Sequence, residues 1–191
     1  MTEIVFFLEE PSAQAMLEGL LPRLLPQKPV VRYVVFEGKQ DLEKQIVRRL
    51  RGYRTPAARF VILRDKDAGD CRVVKSRLRA KCVEAGRPET LIRIACHELE
   101  SWYLADLEAV EKALDLSNIH ALQNRAKYRS PDDLANPADE LQKLTQGAYQ
   151  KILGSRAIGA HLALDNARSH SFLVFISGLR RLAEDSGQST S

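Results

Sequence analysis

Cysteine is scarce in this 191-residue sequence: Cys71, Cys82 and Cys96 are the only three, unevenly spaced. That is too few and too irregular for a disulfide framework, and it points to a reducing compartment. Long hydrophobic runs are missing. Ile4–Leu8, Phe60–Leu63 and Phe172–Ile176 are the longest, far below the roughly 18 apolar residues that crossing a bilayer requires. Met1-Thr2-Glu3 carries neither a basic n-region nor a cleavage signal, so the expectation is a cytoplasmic protein without a membrane partner. Strong charge of one sign is also missing. Lys and Arg number 29 against 25 Asp and Glu, leaving +4, which permits a nucleic-acid partner without demanding one. No Gly-x₄-Gly-Lys-Ser/Thr loop occurs, so a nucleotide-driven step would need a partner ATPase. No Cys-x-x-Cys or His-x₃-His accompanies Cys96-His97, which removes the usual basis for zinc. What is present is 45% hydrophobic and 28% charged residues, a composition that folds, at a length suited to one domain of typical size with at most a small appended part.

The first half alternates strand-like and helix-like segments. Ile4–Leu8, Val30–Phe36, Phe60–Leu63 and Leu91–Ala95 read as buried strands. Between them, Pro11-Ser12 opens a helix with Met16, Leu17, Leu20, Leu21 and Leu24 on one face, which Pro22 should kink or end early. Asp41 is expected to cap a second helix that Gly52 stops. A basic helix runs from about Cys71 to Ala85. This βαβαβαβ order implies an α/β fold with a mainly parallel sheet and helices on both faces. The second half reads as helical, at Glu98–Ala105, Leu107–Leu114, Ala138–Leu144 and Ser171–Glu184, with a polar loop or binding arm over Ser117–Pro137. The expected division is an α/β core over 1–106 and a helical extension packed on it over 107–191.

In an open parallel sheet, ligands bind beyond the carboxyl ends of the strands. Glu9 and Glu10 follow the first strand, Asp65 and Asp67 the third, with Asp70 just beyond, and Glu98 and Glu100 come soon after the fourth. Asp65 and Asp67, two apart in extended backbone, point to one side. Glu98 and Glu100 cannot share a helical face, and Glu98 is the one expected at the rim. Such a cluster repels itself unless a cation sits in it. All-oxygen ligands favour Mg²⁺ or Mn²⁺, and the chemistry that uses them is phosphoryl transfer or phosphodiester cleavage. Arg64 abuts the acids. Arg72, Arg77 and Arg79 start beside them and are candidates to track a phosphate backbone.

A glutamate after the first strand plus Asp-x-Asp after the third resembles the Toprim domain of primases, topoisomerases and OLD-type nucleases. The closer resemblance is to a Toprim-like group, the DUF4276 family, whose blocks look like Val-Glu-Gly-Pro-Thr-Glu, Arg-Asp-x-Asp-x-Gly-Asp-Cys and Glu-Leu-Glu-x-Trp-x-Leu-Ala-Asp. Here they read Leu8-Glu9-Glu10-Pro11-Ser12, Arg64-Asp65-Lys66-Asp67-Ala68-Gly69-Asp70-Cys71 and Glu98-Leu99-Glu100-Ser101-Trp102-Tyr103-Leu104-Ala105-Asp106. Phe36–Leu42 and Ser169–Phe172 also look like family blocks. Glu10 departs from the pattern, standing where the family has glycine, and Ala13 stands where it has an acid. The resemblance implies a Toprim-like, Rossmann-like sheet, with Glu9 in the catalytic glutamate role and Asp65 and Asp67 as metal-binding aspartates. From their place at the rim, Asp70 and Glu98 join the expected metal set, with capping of the helix that starts at Cys71 the equal alternative for Asp70 and the acidic first turn of a helix the alternative for Glu98. The resemblance also implies a metal-dependent nuclease acting on DNA or RNA in prokaryotic defence, commonly beside a partner ATPase.

Two other functions compete. The same acids could hold a structural cation in a non-catalytic binding or regulatory subunit. A haloacid-dehalogenase-like phosphatase also uses Asp-x-Asp, but on its first strand rather than its third. An EF-hand reading of Asp65–Asp70 fails, since its sixth position is Asp70 and its twelfth Ser76.

Overall fold

The four apolar runs form four parallel strands: β1 (Glu3–Leu8), β2 (Val30–Val35), β3 (Arg59–Asp65) and β4 (Leu91–Ala95). The computed structural model describes residues 3–66 and 69–187, the last three of these through their backbone. The sheet order is β2-β1-β3-β4, and Phe6 at its centre is in register with Tyr33 and Val61. Three helices make the crossovers, α1 (Pro11–Leu24), α2 (Lys39–Arg51) and α3 (Cys71–Glu84). Then come α4 (Glu100–Leu104), α5 (Leu107–Ala113), α6 (Ala126–Arg129), α7 (Pro137–Leu144), α8 (Lys151–Gly159) and α9 (His170–Gly187).

β1 shows why the layers sort as they do. Its side chains alternate between two cores, as the pleat requires. Ile4, Phe6 and Leu8 pack with Met16, Leu17 and Leu20 of α1. Val5 and Phe7 pack with Leu42 and Ile46 of α2 and Val74 and Leu78 of α3. The chain steps from β1 to β2 in one direction and from β2 across to β3 in the other. Right-handed crossovers then put α1 on one face and α2 and α3 on the opposite face.

Three local expectations are corrected. α1 runs through Pro22 to Leu24; Pro22 is exposed and in the last turn, so the bond its missing amide removes falls only two residues before the helix ends. Asp41 does not cap α2. Gly38, at φ +96°, caps it one turn earlier, and Asp41 accepts the Glu37 amide from within the first turn at 3.2 Å. The polar stretch 117–137 is not one loop. It contains α6 and two short 3₁₀ turns at His120–Asn124 and Pro131–Asp133. The buried Gln123 side chain ties it down, accepting from the Leu107 amide at 2.7 Å and donating to the Leu104 and Tyr128 carbonyls at 3.1 and 3.2 Å. α8 adds a helix that the sequence pattern did not indicate. It packs along α1 on the β1 face.

Candidate functional site

The strand order β2-β1-β3-β4 reverses the chain's lateral direction between the neighbours β1 and β3, the kind of switch point beyond whose carboxyl ends parallel sheets bind ligands. Glu9 leaves β1 there, and Asp65 is the last residue of β3. The Asp65 amide donates to Glu9 Oε2 at 3.4 Å, and Arg64 Nε lies 3.7 Å from the same oxygen. Arg64 is only 6% exposed and faces inward. Its guanidinium also bonds Glu43 of α2, which receives Arg77 from α3 at 3.4 Å. Burial pulls the Glu43 carboxyl upward, but the bonds and charges of Arg64 and Arg77 outweigh it and hold the group below the usual range.

Asp65 has the opposite balance. Loss of water around its carboxyl, and then the negative charges of Glu10, Glu100 and Glu9, push it well above the ordinary aspartate value; the Leu99 amide pulls the other way. Four carboxylates from the ends of β1 and β3 and from α4 therefore share one electrostatic neighbourhood. Glu100 is 1% exposed, and its pKa is raised, chiefly by burial. Tyr149 donates its hydroxyl to Glu100 Oε1 at 2.9 Å and lies 3.0 Å from Ser155 Oγ of α8. Lys151, the first residue of α8, donates to Glu10 Oε2 at 2.6 Å. Burial lowers the Lys151 ammonium pKa, but Glu10, Glu100 and Asp65 outweigh that and leave it raised.

The other candidates take these positions. Asp67 lies outside the described residues. Asp70 caps α3, accepting from the Arg72 amide at 2.7 Å. Glu98 accepts the Ala138 amide at 2.8 Å, in the first turn of α7. Arg72 is exposed, and Arg77 pairs with Glu43. Arg79 donates to the carbonyls of Pro88 and, at 2.8 Å, Thr90. His97, in the left-handed region at φ +60°, sets Nε2 3.5 Å from Lys66 Nζ. Among the described residues, no three His, Cys, Asp or Glu side chains are arranged to hold a metal ion.

Glu100, Tyr149 and Lys151 are the residues that geometry adds. Spacing could not choose Glu100 over Glu98, because α4 is buried all round and has no solvent face to set a phase. Lys151 and Tyr149 had no signal, being 141 and 49 residues from the carboxylates they meet.

A family model described as "Domain of unknown function (DUF4276)" matches residues 8–180. No curated protein matches the chain. Among solved structures, the chain is similar to the C-terminal region of the Burkholderia pseudomallei OLD protein, at 16% identity and a TM-score of 0.53, covering 94% of this chain and 98% of that one. At that identity the likeness is one of fold, and it agrees with the Toprim-like sheet expected from the motifs.

Proposed function

The chain belongs to the DUF4276 family, and within that family's fold we propose that it is a divalent-metal-dependent phosphodiesterase, a Toprim-type nuclease cutting DNA or RNA. The observation that carries this reading is the negative charge that Glu9, Glu10 and Glu100 bring to bear on one half-buried aspartate, Asp65, at the carboxyl edge of the sheet. An all-oxygen donor set suits Mg²⁺ or Mn²⁺, and mutual repulsion among its members is what a cation would relieve. Glu9 and Asp65 would hold it, together with Asp67, which the family motif adds to the pair, while Glu100 would contribute negative charge from nearby. Asp70 and Glu98 would join the set only by leaving their backbone amides. When bound, such a cation activates water and offsets charge on the phosphate and the leaving oxygen.

The chain's own groups orient the rim. Arg64 and the Asp65 amide aim Glu9 Oε2, and Tyr149 holds Glu100. Lys151, hooked by Glu10, offers an ammonium to a phosphate oxygen. The relative's matched segment is a C-terminal region of its protein, and this chain has no phosphate-binding loop of its own. A partner ATPase is therefore part of the proposal, in a defence role in the cytoplasm of a prokaryote. A second reading, a non-catalytic binding subunit, is favoured by one observation: Lys151 already offsets part of the acidic charge by its bond to Glu10.

The test is cleavage of single- and double-stranded DNA and RNA with Mg²⁺ or Mn²⁺, with and without an ATPase partner, comparing wild type and Asp65→Asn. Turnover should fall by on the order of 10²-fold or more in the variant, while the fold survives. Full activity in Asp65→Asn would overturn the assignment. A wild type inactive in every condition, whose metal-induced rise in melting temperature disappears in the variant, would transfer the site to the binding-subunit reading.

A further inference from the structure

Beside the acidic rim, the fold brings two thiols together. A parallel strand ends, and the helix after its neighbour begins, on the same edge of the sheet, so Cys96 just after β4 meets Cys71 at the first position of α3. Their sulfurs are 4.0 Å apart across 25 residues of chain. Both are half-buried and within reach of a small oxidant, whereas Cys82 is buried. Cys96 is the anchored member. Its amide donates to Ser171 Oγ at 3.5 Å, and the Trp102 indole N–H donates to the same oxygen at 2.7 Å. Cys71 belongs to the turn it would tie down, directly after the Asp70 cap.

We propose that Cys71 and Cys96 form a redox-active dithiol that closes to a disulfide under a hydroperoxide and tethers the first turn of α3 to the end of β4. The sulfurs need to approach by about 2 Å from their 4.0 Å separation to reach bonding distance. The balance is closed. One thiol attacks the peroxide, the O–O bond breaks, and the products are a sulfenic acid and an alcohol or water. The second thiol then attacks that sulfur, the S–S bond forms, and hydroxide leaves with the remaining thiol proton as water. The two electrons lost by the sulfurs are those that cleave the peroxide. In a reducing compartment such a bond is transient and suits regulation. It would brace the start of α3 beside the Asp70 cap, whether or not the acidic rim binds metal.

The experiment exposes the chelated wild-type protein to dilute hydrogen peroxide, followed by alkylation, intact mass and peptide mapping. The expected product has lost two hydrogens, joins the Cys71 and Cys96 peptides, leaves Cys82 free for alkylation after unfolding, and reverts with dithiothreitol. Amide exchange in the first turn of α3 should slow several-fold in the oxidised form. Cys71→Ser, a substitution at a half-exposed helix start, should abolish both effects. Sulfinic acid on separate cysteines, cross-links only between chains, or a closed disulfide with unchanged exchange in α3 would each overturn the proposal. A failure of metal binding or cleavage, by contrast, would leave these readouts untouched and count only against the nuclease reading.

Discussion

Asp65 holds a carboxyl that water no longer surrounds, with three other acids close by, and this has a sign that can be measured. In the unfolded chain it ionises near the ordinary value of 3.8; in the folded chain it gives up its proton only at higher pH. Across that interval the folded state holds a proton the unfolded state has lost. Stability therefore falls as pH rises through the interval, and the penalty is complete above the folded value. Glu100 shifts the same way, also through burial. Asn at position 65 has no charge to bury. In chelator, Asp65→Asn should gain on wild type as pH rises from about 4 to neutrality, each unit of pKa displacement contributing roughly 1.4 kcal/mol. Denaturant melts at a series of pH values would show a widening gap; a gap that stays constant with pH would refute the assignment of strain to this carboxyl. Added Mg²⁺ or Mn²⁺ should narrow the gap, because wild type alone keeps the full negative charge that binds it.

α8 shows where legibility stopped at the level of elements. The strands and α1 to α3 could be read because apolar positions repeat at the period of each element, as with Leu42, Ile46 and Leu50 in α2. α8, Lys-Ile-Leu-Gly-Ser-Arg-Ala-Ile-Gly, has two glycines, each costing about 1 kcal/mol of helix propensity, and its Ile152 and Leu153 are exposed. The glycines are there for contact. A Cβ on Gly159 would strike the Met16 carbonyl oxygen, and one on Gly19 would strike the Arg156 carbonyl oxygen and the Ala160 nitrogen. α1 and α8 can approach this closely only without those side chains, and close approach is what carries Lys151 to Glu10. Gly159→Ala and Gly19→Ala should each destabilise the protein by roughly 1–3 kcal/mol in urea melts, because backbone atoms cannot swing aside as a side chain can. Each should also weaken metal-dependent cleavage beyond its loss of folded protein, by moving Lys151. Unchanged melts for both would mean that the helices separate freely.

At the scale of the whole molecule, the strand order and the reversal between β1 and β3 decide where acids and bases collect. That the acids after β1, β3 and β4 lie toward one edge was legible, because the residues after each parallel strand must share it. What the far half contributes, Lys151, Tyr149 and the choice of Glu100, was not, since no local pattern encodes which distant helix folds back over the rim. The same edge geometry sorts the basic run of α3. This helix returns antiparallel to the strands, so Arg72 stands at the rim. Arg79 lies about 10 Å further along the axis, bonded to carbonyls that precede β4. Arg77 falls between them, tied to Glu43. If a phosphate backbone reaches the rim, its counter-charges should come mainly from the first turn. Reversing Arg72 and Lys75, both exposed, should lower the slope of log affinity against log salt by about 1 for each cation lost. The effect should shrink from Arg72 through Arg77 to Arg79, where the main cost should be stability through the lost carbonyl bonds. Lys28, exposed just before β2 at the opposite edge of the sheet, is the control, and its reversal should leave the slope as it was. Equal slopes for the Arg72, Arg79 and Lys28 variants, measured by titration of labelled DNA and RNA at several salt concentrations in Ca²⁺, would exclude the α3 path.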